Sequence, residues 1–373
     1  MKFLLIPDKF KGSLTAEAVV RAMQEGLQAA LPDAECHSVL ASDGGDGFLD
    51  AVGRYRRVER IVHDTCDPLG RVLQAEFLLD REKGEAYIEL ARASGLVLLD
   101  DGERRPLDTS TYGTGLQIKH ALSLGARSVY IGLGGSATND GGMGIAHALG
   151  YRFLDADGRE LKPTGASLER VQAIDVGNNP GWEGVSFTAI NDVNNPLFGP
   201  NGAARVYAAQ KGATPGQIDR LDEGLRNLDA VVARELKKGL AQIAGTGAAG
   251  GTAFGLKAFL EAEFVSGIQF VIDMAEVPQL LKRESIDYIL TGEGKIDRQT
   301  LHGKLIHGVL DLGRRHGIPV MAVCGRLDAA PSELRDAGLA EVIEIREPGR
   351  PLQYNMAHAG RLLRDAVQKR FSS

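Results

Sequence analysis

The segment Ile131–Gly144 (IGLGGSATNDGGMG) carries six glycines together with Ser136, Thr138, Asn139 and Asp140, directly after the short β-type run Ser128–Ile131. Glycine tolerates positive φ, so successive N–H groups can converge on one point and form an anion cradle. The polar side chains add a hydroxyl, amide and carboxylate set to the same loop. Gly134, Gly135, Ser136, Thr138 and Asn139 are therefore candidate substrate- or phosphate-binding residues. Gly132, Gly134 and Ala137 also satisfy the dinucleotide fingerprint Gly-x-Gly-x-x-Gly/Ala, with Asp155 near the distance of a ribose-binding acid. Against that, Asn139–Gly144 are poor helix formers and Phe153–Leu161 has the pattern of a hairpin around Asp157–Gly158.

Other loops repeat the theme with charge. Pro7–Leu14 (PDKFKGSL) sets Lys9, Lys11 and Ser13 between a strand end and a helix start, where backbone N–H groups and the helix dipole favour an anion. Ser13 is also a reasonable N-cap. Ser42–Gly47 (SDGGDG) offers Asp43 for Mg²⁺ or for accepting a hydroxyl proton. Thr291–Asp297 (TGEGKID) is expected to be a loop following a strand that ends at Leu290, with Glu293, Lys295 and Asp297 suited to a metal–phosphate group. Asp192, in the polar run after the apolar Val185–Ile190, could line a site for a hydroxyl-bearing substrate. Gln210–Ala213 adds another lysine, and Gly245–Gly255, with Gly250 and Gly251, another anion-competent glycine loop. No Walker A pattern, serine-hydrolase elbow or histidine metal spacing is present.

Elements must hold these loops in place. Lys2–Ile6 has the character of a strand and Leu14–Leu31 of a helix, and the chain's other end alternates apolar runs (286–290, 319–323, 341–345) with amphipathic stretches. That alternation predicts a parallel sheet flanked by helices. The middle differs: 72–79 and 85–90 predict a hairpin about 82–84, and 151–161 another, giving a mixed sheet. The fold class is therefore α/β with two domains, a Rossmann-like one from residues 1–60 and 286–373 and an inserted one with a mixed sheet from 61–285.

Composition narrows the partners. At 373 residues with 43% hydrophobic and 25% charged residues the chain has ordinary globular usage for two or three domains. A net charge of −6 without a basic block points away from nucleic acid, so an anionic substrate needs locally placed cations. No apolar run approaches a membrane span, and the first residues lack a signal-peptide stretch. Cys36, Cys66 and Cys324 are scattered without metal spacing, which suits a reducing compartment, so a cytoplasmic location is expected.

Taken in order, the loops resemble those of the type I glycerate kinase family over most of the chain. The matching stretches are 7–14, 42–47, Thr111–Gly115 (TYGTG), 134–142, 191–197, 210–213, 247–251 and 291–297, with Asn191 where the family usually has Cys. The resemblance implies ATP-dependent phosphorylation of D-glycerate, commonly to 2-phosphoglycerate, by a two-domain α/β protein with its site in the interdomain cleft. On chemical grounds Lys9, Lys11 and Lys295 would neutralise phosphate and carboxylate, Asp43, Glu293 and Asp297 would serve Mg²⁺, and Asp192 would orient or deprotonate the glycerate hydroxyl. An NAD-dependent hydroxyacid dehydrogenase and a non-enzymatic small-acid sensor are the competing readings, and the oligomeric state is open.

Overall fold

The computed structural model describes residues 1–40, 45, 47–177, 184–297 and 304–372. In chain order the strands are β1 (Lys2–Pro7), β2 (Glu35–Ser38), β3 (Glu59–Cys66), β4 (Val72–Asp80), β5 (Glu85–Glu89), β6 (Ser128–Gly132), β7 (Arg152–Leu154), β8 (Ala173–Asp175), β9 (Ser186–Ile190), β10 (Glu263–Val265), β11 (Tyr288–Ile296), β12 (Val320–Leu327) and β13 (Glu341–Glu344). They fall into two units, Met1–Ser42 with Gly267–Ser373, and Asp43–Ser266.

The first unit holds a five-stranded, all-parallel sheet in the order β13-β12-β11-β1-β2. β1 lies between β11 and β2, and Phe3, Leu4, Leu5 and Ile6 are all buried, because a parallel strand between two helix layers has no wet face. The helix Ala16–Ala30 starts at Thr15, whose hydroxyl accepts from Ala18 N at 3.3 Å. Thr15, not Ser13, is therefore the cap. This helix packs on Ala359–Phe371 so closely that a Cβ on Gly26 would stand 2.5 Å from the Arg364 carbonyl oxygen. Met23, Leu27, Leu363 and Val367 close over Phe3 and Leu5.

The second unit is built on a six-stranded mixed sheet, β10-β9-β6-β5-β4-β3. β10, β9, β6 and β5 run parallel, while β4 pairs antiparallel with both β5 and β3. The expected β4–β5 hairpin is present. The expected 151–161 hairpin shrinks to a bridge between Leu154 and Glu160, because β7 takes β8 as its ladder partner. Ile88, Ile131, Phe187, Leu225 and Phe254 belong to one core against the sheet.

The chain crosses between units after Ser42 and Ser266, earlier each time than the 60 and 285 expected from element alternation. Packing accounts for the shift. The helix Phe48–Tyr55 buries Phe48, Leu49 and Val52 in the second unit, where Leu49 N donates to Glu89 Oε2 at 3.4 Å. The helix Gly267–Met274 sets Ile268 against Gly308 in the first, with 2.5 Å between Ile268 Cγ2 and a Cβ placed on that glycine.

Candidate functional site

In parallel sheets, ligands are held by loops at the carboxyl ends of the strands. β6 and β9 are neighbours in register, Gly132 opposite Ile190, so the loop 133–142 and the segment beginning Asn191–Asp192 leave the same sheet end. Asp192 is half-buried there, directly after buried Asn191.

The loop 133–142 is fixed by its edges. Leu133 N donates to Ile190 O, Ala137 N to Ser94 O, and Leu96 N to Gly135 O. Asp140 is fully buried; Oδ2 accepts from Thr111 N (2.7 Å), Thr111 Oγ1 (2.8 Å) and Gly144 N (3.1 Å), and Oδ1 from Gly142 N (3.1 Å). That carboxylate is the anchor of the turn. Burial pushes its pKa up, against the hydrogen bonds that favour its charged form. The N–H groups of Gly134, Gly135, Ser136, Thr138 and Asn139 donate to no described residue, as an anion cradle requires. Thr138 Oγ1 and both polar atoms of the Asn139 carboxamide are buried without partners, which costs about 1–3 kcal/mol per group unless a ligand or water pairs them.

Lys211, which the sequence offers only as another lysine of the 210–213 loop, is drawn against the glycine loop. Its ammonium, 2% exposed, donates to Ser136 Oγ and to Thr138 O, both at 2.7 Å. Gly212 sets the turn, with φ of +91° and a position where a Cβ would lie 2.1 Å from Arg104 O. Gly250 and Gly251 face the same loop through backbone: a Cβ on Gly250 would stand 2.0 Å from Thr138 O, and Gly141 N donates to Gly250 O.

The first unit gathers the remaining charges. β11 does not stop at Leu290. It continues to Ile296, paired with β1 as far as Gly292 (opposite Pro7) and with β12 beyond it (Glu293 opposite Cys324, Lys295 opposite Arg326). Glu293 and Lys295 therefore stand on a strand and share one face by the twofold period. The Lys9–Ser13 turn lies beside them, since a Cβ on Gly294 would come within 3.3 Å of Lys11 N. In that turn Lys9 N donates to Asp8 Oδ1 at 2.7 Å and Ser13 Oγ to Phe10 O at 3.1 Å, while the Lys9 and Lys11 side chains are exposed. Burial, then the negative charges of Asp8 and Asp297, push Glu293 up to about 8. Lys295 is ion-paired with Asp297 (2.9 Å) and Asp328 (3.2 Å). Among the described residues no group of three His, Cys, Asp or Glu side chains is placed to hold a metal. Asp43 lies outside the described residues.

The dinucleotide fingerprint has no matching structure. Ten residues separate β6 from the helix Met143–Ala148, which has only six residues, so no long helix opens at the glycines. Asp155 is consumed in its own turn, accepting from Asp157 N and Arg159 N and pairing with Arg170.

These loops at the carboxyl ends of parallel strands, with a buried lysine against the glycine loop, mark the chain as an α/β protein whose glycine loop suits a small anion. The sequence profile of the glycerate kinase family matches residues 3–372. A glycerate kinase of Halalkalibacterium halodurans is 37% identical over 98% of this chain and 96% of its own, and a glycerate 2-kinase of Escherichia coli K12 is 37% identical over 92% and 90%. A crystal structure described as glycerate kinase 2 from Salmonella typhimurium LT2 superposes with a TM-score of 0.82 at 36% identity, covering 100% of this chain and 97% of that one. The chain belongs to the glycerate kinase family, and it is an enzyme of the kinase class. The dehydrogenase and sensor readings find no support.

Proposed function

We propose that the enzyme transfers the γ-phosphoryl group of ATP to a hydroxyl of D-glycerate, giving ADP and 2-phosphoglycerate. The observation that carries the choice of hydroxyl is the near full-length likeness to the Escherichia coli glycerate 2-kinase. The cradle supports the substrate class: a carboxylate or phosphate accepts from the free N–H groups of Gly134, Gly135, Ser136, Thr138 and Asn139, while Asn139 Oδ1 is left to accept from a hydroxyl. Gly250 and Gly251 keep that cradle in shape by backbone contact.

In this reading Asp192 accepts the hydroxyl proton as the hydroxyl oxygen attacks the γ-phosphorus, and the bond to the β-phosphate oxygen breaks. Lys9, Lys11 and Lys295 balance negative charge on the phosphates, and Ser13 holds the turn that carries the first two. Mg²⁺ would be held by Glu293 and Asp297, completed by nucleotide phosphates, as this ion commonly uses only one or two carboxylates. Burial, then the nearby charges of Asp8 and Asp297, push Glu293 up to about 8, and a carboxyl so placed is suited to a cation. Bound Mg²⁺ supplies electrostatic stabilisation of the transferring phosphoryl group. A cytoplasmic site of action goes with these substrates, and no described helix is long and apolar enough to cross a membrane.

Purified protein with Mg-ATP and D-glycerate should release ADP, and ³¹P NMR of the product should show a 2-phosphate ester. A 3-phosphate ester would overturn the choice of hydroxyl, and no glycerate-dependent ADP would overturn the reaction. Asp192→Asn should lower kcat by about 10²–10⁴-fold, the usual contribution of a general base. An unchanged kcat would remove Asp192 from that role.

A further inference from the structure

The mechanism above makes no use of the Lys211 ammonium, which is buried against the cradle. Its hydrogen-bonded partners, Ser136 Oγ and Thr138 O, are both neutral. Asp140 is the carboxylate that acts on it through space, and Asp140 already accepts from Thr111, Gly142 and Gly144. The charged side chains flanking its turn are paired elsewhere, Arg104 with Asp101 at 2.8 Å and Arg205 with Asp219 at 2.5 Å. A buried cation without a hydrogen-bonded carboxylate is costly. An anion resting on the loop that Lys211 grips would supply the missing charge, and the unpaired donors of Thr138 and Asn139 lie on that loop.

We propose that Lys211 is a positioning residue of the phosphoryl transfer: through Ser136 and Thr138 it fixes the donors of the glycine loop, and binding of the anionic substrate there completes its charge. The inference rests on glycerate being the ligand of that loop. Burial brings the lysine down to about 7, so at higher pH the incoming carboxylate draws a proton onto it, and affinity falls as pH rises.

The test compares wild type, Lys211→Met and Lys211→Arg in kcat and KM for D-glycerate between pH 6 and 9. Calorimetric titration of wild type with D-glycerate in two buffers of different ionisation enthalpy accompanies it. Wild-type KM should climb towards tenfold per pH unit above about 7, with proton uptake approaching one per glycerate at pH 8. Lys211→Met should raise KM at pH 6.5 by about tenfold or more, the size of one charge-assisted hydrogen bond, and flatten the pH profile. Lys211→Arg, always charged, should restore part of the affinity without restoring the slope. A methionine variant with the wild-type KM profile, or glycerate binding to wild type without proton uptake, would overturn the proposal. Should the methionine variant fail to fold, the calorimetry on wild type decides alone. Absence of any glycerate turnover by wild type would instead remove the reading beneath it, and the proposal with it.

Discussion

Asp140 accepts four hydrogen bonds in full burial, and each donor belongs to a segment that must bend sharply: Thr111 at a helix entry, Gly142 and Gly144 at the close of the glycine loop. Removing the carboxylate strands three backbone N–H groups in the interior. Asp140→Ala should therefore lower stability by about 3–5 kcal/mol, read from urea midpoints, with Asp140→Asn losing less because its carbonyl still accepts. A change under 1 kcal/mol would mean the turn closes without its anchor. His63 governs a different response. Its ring stacks on His120 with centroids 4.7 Å apart, and burial, then the His120 charge, hold its pKa below the usual 6.5. The folded state thus binds fewer protons than the unfolded one below pH 6.5, so this contribution to stability is whole above pH 6.5 and is lost as pH falls from there through the lower folded value. Urea midpoints should fall from pH 7.5 to pH 5.5, and His63→Gln should reduce that fall; an undiminished slope in the variant would assign the pH response to other groups.

At the scale of elements, backbone proximity organises the cradle. Helix Ala248–Leu260 has Ala249, Gly250 and Gly251 at positive φ inside it, and the kink presses Gly250 onto the Thr138 carbonyl. Gly250→Ala puts a Cβ 2.0 Å from that oxygen at φ +66°, so it should cost about 2–3 kcal/mol or more and raise KM for glycerate by displacing Thr138 and Asn139. Gly53→Ala, in the helix Phe48–Tyr55 with nothing within 4 Å, should instead be neutral or stabilising by up to about 1 kcal/mol. Thermal melts of the two variants side by side check this, and equal shifts would discount the close approach. The sequence shows much of this architecture because apolar runs such as Lys2–Pro7 and 319–323 leave few options besides buried parallel strands. The glycine loop is equally legible, since so many glycines after a strand have little packing value. Lys211 is not. Lysine is ordinarily a surface residue, and what buries this one is a contact with Ser136, 75 positions away, enforced by the Gly212 turn. The 291–296 stretch misleads for the opposite reason: its glycines and charges break the apolar pattern, yet β1 pairs with it as far as Gly292 and β12 carries the ladder on to Ile296.

On the scale of the whole molecule, one unit is continuous in sequence and the other is assembled from both chain ends. β1, β2 and the helix Ala16–Ala30 come from the first residues, while β11 to β13 and the helix Ala359–Phe371 come from the last. Leu362, Leu363 and Val367 of that final helix belong to the same core as Phe3, Leu5 and Met23. Burying three such side chains contributes about 1.5–3 kcal/mol each, which together approaches the 5–15 kcal/mol that typically separates a folded domain from its unfolded state. A chain ending at His358 should therefore lose the parallel sheet while β5, β6 and β9, whose core partners all lie in Asp43–Ser266, keep theirs. Hydrogen exchange resolves the two outcomes: amides of Lys2–Pro7, Ala16–Ala30 and Val320–Leu327 should exchange freely, and those of Glu85–Glu89 and Ser128–Gly132 should stay protected. Glycerate phosphorylation should vanish although the cradle survives, because the lysines at 9, 11 and 295 would no longer be held on an ordered sheet. Uniform loss of protection across both sets of strands would show instead that the inserted unit depends on the ends that flank it in sequence.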